Sequence, residues 1–472
     1  MYSLFRFPFF VPSTKALLFV GVFSYLSTPV LTLASGIPKE GMPNSASIGQ
    51  SFLSLEAAIA AAQQNDIWLT GNKHSQEAIE SASVFAGTLP DPKMSLTFAN
   101  IPTDSFDFGQ EGMTQFKVGV SQMFPRGDSL EIKKKQLVLK SGQFPYQRQD
   151  RNAKTSVIVS QLWLDAYRAK ESIALIEKDR ELFEQLADVA QASYSSGLGK
   201  TRQHDIVRAQ LEMTRLEDRL TVLKQTQEKY RQQLNEWLDN EALETQGAQS
   251  EDVQVRLLQQ SPLTRALPNL ALVSESIYHS NDSQRLFELI SNHPALKVMD
   301  KKINVSRAGI ELAEQKYRPA WGVSGSYAYR DDDPMGNDRA DFFSVGINFD
   351  MPIFTAKKQD QQVKTAISRT EAVKTEKGLL IRKMRASYES LSVQLTRLNE
   401  RKELYHSILL PQTLEQSEAS LTAYTNDDGD FAEVVRSRIA QLNAGIDALS
   451  INVDRQKIIA KLNYFLTIAH KE

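Results

Sequence analysis

The residues able to do chemistry are few in kind. The 472-residue chain has no cysteine and six histidines, which removes disulfides, thiolate metal sites and cysteine nucleophiles. The histidines are scattered, with no His-Glu-x-x-His pair on a helix, no glycine-rich phosphate loop after a strand and no Gly-x-Ser-x-Gly elbow. No cluster of acid, base and nucleophile forms, so the sequence points away from an enzyme and calls for no cofactor or bound metal. What remains is carboxylate. Asp205 in one half, and Asp427, Asp428, Asp430 and Glu433 in the other, fall at or just after two polar breaks, 195–200 and 426–430. Acids there favour a helix N-terminus, and a symmetric ring of them would make a cation-attracting mouth. Glu415 and Glu418 stand three apart, hence on one helical face, shortly before the second break. A solvated helix face is the competing reading for that pair.

The elements that position these acids are long helices. Ile206, Ala209, Met213, Leu216, Leu220, Leu223, Gln227, Tyr230, Leu234 and Trp237 recur at alternating threes and fours, a coiled-coil seam. Leu162, Ala166, Ala169, Ile173, Ile176, Arg180, Phe183, Ala187, Ala190 and Tyr194 repeat the pattern before it, and Ile439, Leu442, Ile446, Leu449 and Val453 repeat it in the second half. The breaks join these seams in pairs. An uninterrupted helix over 128–194 would be about 100 Å long, but Gly142 and Pro145 predict a kink near its start.

Between the helices lie short segments of period two. Phe116-Lys117-Val118-Gly119-Val120-Ser121-Gln122-Met123-Phe124-Pro125 aligns with Phe343-Ser344-Val345-Gly346-Ile347-Asn348-Phe349-Asp350-Met351-Pro352. Upstream, Met94, Leu96 and Phe98 alternate with Ser95, Thr97 and Ala99, and Trp321, Val323, Tyr327 and Tyr329 with Gly322, Ser324, Ser326 and Ala328. Each half therefore holds two strands, with Asp-, Gly- and Pro-rich hairpin loops at 102–112 and 330–341. The chain is written twice, as helix, hairpin, very long helix, tight turn, helix. The first repeat is assigned to 53–240, with its hairpin at 93–124, and the second to 283–472, with its hairpin at 320–352. A connector at 241–282 contains Pro262 and Pro268.

The N-terminus carries Arg6 and Lys15, an apolar run over 16–26, then small and polar residues through Ala34 and Ser35. That pattern predicts a secretory signal peptide over 1–34, followed by an extension over 35–52. No later run is long enough to cross a bilayer as a helix, so a membrane span would have to use strands. Met94, Leu96, Phe98, Phe116, Val118, Val120, Trp321, Val323, Tyr327, Phe343, Val345 and Ile347 would then face lipid, while Gln115, Lys117, Gly119 and Ser121 suit water. Four strands cannot close a barrel, and an open edge in lipid leaves backbone groups unpaired at several kcal/mol each. Closure requires further copies. Two would enclose a side-chain-filled interior and three a water-filled one, and the sequence does not choose between them. The near-zero net charge of −2 argues against a nucleic-acid partner.

These features together resemble the TolC family of outer-membrane factors. The resemblance is carried by Leu89-Pro90-Asp91-Pro92-Lys93, by Gly119-Val120-Ser121-Gln122-Met123-Phe124-Pro125-Arg126-Gly127, and by Tyr194-Ser195-Ser196-Gly197-Leu198-Gly199 with Asp205-Ile206-Val207-Arg208-Ala209-Gln210. It is strongest to members paired with heavy-metal cation exporters of the RND type. It implies a mainly α fold with a small β part. Coiled-coil hairpins would form an α-barrel through the periplasm, and four strands per chain would contribute to a shared trimeric β-barrel in outer-membrane lipid. It also implies a passive efflux duct whose tip meets a periplasmic adaptor and an inner-membrane pump, with Glu418 at a pore-constricting position. Two departures stand out: the chain lacks the lipidated N-terminal cysteine of many cation-type relatives, and Asp427 stands where the family usually has glycine. A structural coiled-coil tether and the exit duct of a type I secretion system are the alternative roles.

Overall fold

The computed structural model describes residues 52–196, 202–239, 259–275, 278, 283–426 and 428–470. The expected signal peptide, nearly all of the N-terminal extension, the first helical break beyond Ser196, much of the connector and Asp427 lie outside the described residues.

The chain is mainly helical with one small antiparallel sheet. Helices α1 (Leu55–Gln64) and α2 (Ile67–Ala86) lead into strands β1 (Lys93–Ala99) and β2 (Gln115–Phe124). Next come α3 (Ser129–Ser141), α4 (Phe144–Ser196) and α5 (Gln203–Leu238). The second half repeats the order with α6 (Ser283–Ser291), α7 (Pro294–Glu314), β3 (Trp321–Tyr329) and β4 (Phe342–Phe349), then α8 (Gln359–Leu404), α9 (Leu410–Thr425) and α10 (Phe431–Phe465).

Part of the heptad pattern is realised as one shared seam, while Leu162, Ala166, Leu234 and Val453 join a second cluster with α1. Ile173, Ile176, Phe183, Leu186 and Ala190 of α4 bury against Ile206, Ala209, Leu216 and Leu220 of α5, and against Phe431, Val434, Val435, Leu442 and Ile446 of α10. Over this stretch α4 and α10 join the two helical hairpins. Arg180 belongs to the heptad count but not to the core: its guanidinium turns out to Glu184 at 2.9 Å and Glu217 at 3.6 Å, because a charge inside the seam would be desolvated without compensation.

Two helical interruptions have local causes. Where a kink was expected the helix stops outright: α3 ends at Ser141, Gly142 caps it through its N–H to the carbonyls of Lys140 and Val138, and Pro145 sits in the first turn of α4, where its missing N–H costs nothing. In the second half a π-turn at Tyr405–Leu409 separates α8 from α9. Pro411 has no N–H for the carbonyl one α-turn back, and widening the preceding turn relieves its ring. Nearer the C-terminus, His293 is fully buried and caps α7, with Nδ1 accepting from the Ala295 N–H at 3.1 Å and Nε2 donating to the Tyr464 carbonyl at 3.0 Å. Burial pushes its pKa below the ordinary 6.5.

Candidate functional site

The four strands form one sheet in the order β1-β2-β3-β4, all antiparallel. Directly paired residues share a face, so register decides what each face presents. Met94 pairs with Val120, Leu96 with Val118 and Phe98 with Phe116; Val118 pairs with Tyr327 and Gln122 with Val323; Tyr327 pairs with Phe343, Gly325 with Val345 and Val323 with Ile347. Together with Trp321, which pairs with Phe124 and Phe349, the twelve apolar residues picked out by alternation lie on one face. That face is open: Met94 is 71% exposed, Phe343 75%, Val345 66% and Ile347 66%. No helix covers it. The opposite face carries Lys93, Ser95, Thr97, Lys117, Gly119, Ser121, Ser324, Ser326, Ser344 and Asn348, with Met123 and Phe342 toward its two ends. Among the described residues β1 and β4 have no outer partner, leaving two rows of unpaired backbone groups.

Aromatic rings end the apolar face at both limits. Phe124, Trp321 and Phe349 form one row, the first two rings 5.7 Å apart. Phe98, Phe116 and Tyr329 form the other, extended by Phe108, with Phe98 and Phe116 at 4.7 Å and Phe108 stacked on Tyr329 at 6.3 Å. From Phe116 to Phe124 the strand runs about 26 Å, or about 20 Å of height at the tilt usual in barrels, close to an outer-membrane apolar band with its aromatic girdles. Phe124, Tyr329 and Phe349 share this face but were not among the residues expected to face lipid, although their parity in the alternation would have found them.

At the foot of the sheet, the Phe124-Pro125-Arg126-Gly127 segment fastens one repeat to the other. Arg126 donates to the carbonyls of Lys316 and Arg318 at 3.0 and 2.9 Å and pairs with Asp350. Asp350 in turn accepts from the Ala320 N–H at 2.6 Å. Gly127 has φ +44°, and a Cβ there would meet the Arg318 side chain and Gln315 Oε1, each at 2.4 Å. The hairpins are therefore oriented by a contact between residues nearly 200 positions apart in sequence. At the far end, hairpin loops carry Asp331, Asp332, Asp333 and Asp338. Hydrogen bonds from Asn337 hold Asp333 below the usual carboxylate range, whereas some lost hydration and the neighbouring Asp338 push the exposed Asp332 up.

The acidic residues at the other extremity take different roles. Asp205 is 3% exposed and accepts from the Arg202 N–H at 2.9 Å in a capping box at the start of α5, with His204 Nε2 3.3 Å from its other oxygen. Asp430 caps α10 through the Ala432 N–H at 3.1 Å, Glu433 pairs with Arg436 one turn on, and Asp428 is exposed. The structure brings Asp205, Asp428 and Asp430 to one cavity of about 300 Å³, lined also by Arg202, His204, Tyr424, Gly429 and Phe431. Gly429 closes the second turn: a Cβ there would lie 2.6 Å from the Tyr424 N and 2.8 Å from the Ala423 carbonyl carbon. Only glycine permits that approach.

Glu415 and Glu418 are exposed on α9, with Ser417 between them fully buried. Leu421 and Tyr424 pack toward α10, so both carboxylates lie on the side away from that core. Among the described residues no ion pair engages either one. No group of three His, Asp or Glu among them is placed to hold a metal, and no described helix is long and apolar enough to cross a membrane.

No protein-family profile matches the chain, and no curated protein matches it in sequence. Solved structures do match in fold. The outer membrane protein VceC of Vibrio cholerae superposes with a TM-score of 0.67 at 10% identity, covering 87% of this chain and 95% of its own. The CmeC outer membrane channel of Campylobacter jejuni gives 0.66 at 12%, covering 92% and 93%, and the open state of the MtrE outer membrane channel of Neisseria gonorrhoeae gives 0.65 at 13%, covering 87% and 88%. The chain has the fold of these outer-membrane channels over nearly its whole described length.

Proposed function

We propose that the chain is one protomer of a homotrimeric, TolC-family outer-membrane channel that extends into the periplasm and serves as a passive exit duct. The observation that carries this reading is the sheet, with two open edges, one face apolar between aromatic girdles and the other polar. Such a sheet is stable in lipid only when β4 of one copy meets β1 of the next around a closed ring. Three copies give twelve strands, wide enough for water, and the shared fold with outer-membrane channels favours that number. In a trimer the joined helical hairpins would continue the polar face as a tunnel, whose tip would meet a periplasmic adaptor and an inner-membrane pump of the RND type. The resemblance of the sequence to cation-type members favours heavy-metal cations as cargo, ahead of drugs or secreted proteins. Glu415 and Glu418 would constrict the periplasmic end.

Native mass measurement in mild detergent, followed by conductance recording in planar bilayers, tests this reading. A heat-sensitive trimer that conducts is expected. A stable monomer, or a trimer without conductance under conditions that open the tip, would return the chain to the role of a structural tether.

A further inference from the structure

We infer that the barrel wall of the duct favours anionic and neutral solutes over free cations, through Lys93 and Lys117 on the water-facing side of the sheet. The inference rests on the exit-duct reading, since it needs that face to line a lumen.

The four strands contain two charged residues, both lysines, and no Asp, Glu, Arg or His. Both lysines lie on the polar face. Lys93 pairs with Ser121 and Lys117 with Thr97, and between those rows run Ser95, Gly119, Ser326 and Ser344. Neither ammonium group has an ion pair among the described residues. The carboxylates adjoining β4 are engaged, Asp350 by Arg126 at the foot and Asp341 by the Tyr327 hydroxyl and the Arg330 N–H at the other end, while Asp91, two residues before Lys93, is exposed. Between the two rows the neighbours are serine and glycine, so nothing there reaches as far inward as the lysines; Phe342, with the Arg330 guanidinium 4.1 Å from its ring, ends the Lys117 row two strands away.

Three copies would place six ammonium groups in two rings. Twelve tilted strands enclose a backbone radius of about 12 Å, and a lysine side chain reaches about 6 Å inward. The ring charges then lie about 6 Å from the axis, inside a Debye length of about 8 Å at physiological salt. Solutes cannot pass beyond their influence. A metal cation would cross this stretch most readily as a neutral or anionic complex, and free cations outside would meet a repulsive collar.

The absence of native cysteine allows a direct test in the full chain. Ser95→Cys or Ser326→Cys, assembled in intact cells, is exposed from outside to an anionic sulfonatoethyl or a cationic trimethylammonioethyl methanethiosulfonate. Rates are normalised to those with free cysteine. Two ammonium groups about 7 Å from Ser95, screened by salt, should favour the anionic reagent about five-fold. The preference should fall to near one when Lys93→Gln and Lys117→Gln are added. A ratio near or below one in the lysine-bearing protein, or a preference that survives removal of both lysines, overturns the inference. If neither reagent reaches Ser95→Cys or Ser326→Cys in an assembled trimer, the polar face lines no lumen and the exit-duct reading fails first.

Discussion

Val345→Arg probes the proposed membrane face where that face contributes least to folding of the protomer. Val345 lies in the middle of β4, is 66% exposed and stands opposite Gly325, which offers no side chain to pack against. Replacing an exposed side chain with so little packing should change protomer stability by no more than about 0.5 kcal/mol. In a bilayer the same change puts a guanidinium near the midplane, at about 2–4 kcal/mol per site. Each copy alone would shift the assembly equilibrium by about 30- to 700-fold, since about 1.4 kcal/mol is a factor of ten, and a trimer would incur the cost three times. The expected outcome is loss of the heat-sensitive oligomer from the outer-membrane fraction, with protomer accumulating in the periplasm. Ser344→Arg, one residue away on the polar face, supplies the control and should assemble. Phe349→Arg, in the aromatic row, should be intermediate, because the cost falls to about 0–1 kcal/mol near the interface. The reasoning is refuted if Ser344→Arg is as damaging as Val345→Arg, or if Val345→Arg assembles normally.

Three further outcomes follow from the proposed periplasmic end and the helical body. Glu415→Ala with Glu418→Ala should leave the oligomer intact while weakening cation selectivity and block by millimolar multivalent cations; unchanged single-channel block would return both carboxylates to an ordinary solvated helix face. Gly429→Ala forces a Cβ into the Tyr424 and Ala423 backbone and should cost about 1–3 kcal/mol as local strain. Hydrogen exchange should then speed up at the amides of the 424–432 turn and not in the sheet. His293, neutral as a buried helix cap with its pKa lowered, stabilises the fold fully above its unfolded value of about 6.5. Below that the unfolded chain binds the extra proton, so this contribution declines as pH falls toward the lowered folded value. Thermal unfolding should show that slope between the two values, and His293→Asn, which keeps a capping side chain, should flatten it.

Much of this protein was legible in short-range pattern. Alternation from Met94 to Phe98 and from Phe343 to Ile347 fixed which residues share a face, because pleating leaves no freedom in side-chain direction. The spacing of Ile206, Ala209, Met213 and Leu216 fixed a helical seam for the same kind of reason. The duplicated order of elements was visible as similarity between the halves. These features depend on residues a few positions apart, where covalent geometry does the work.

Other features needed the fold. Pairing of β2 with β3 brings Phe116 opposite Tyr329, and nothing local in either strand specifies that partner. Arg126 reads as an ordinary loop cation until the chain folds back and offers Asp350 and two carbonyls. Asp205 reads like any other acid near a turn, yet packing of the tip buries it, while Glu415 and Glu418 stay exposed because Ser417 takes the inward position between them. Whether a carboxylate caps a helix or faces water depends on what lies across from it, and that is settled by contacts between residues far apart in the chain. The open edges of β1 and β4 make the same point at a larger scale: alternation supplied strands suited to lipid, but it took the sheet order to place the two unpaired edges where another copy could close them.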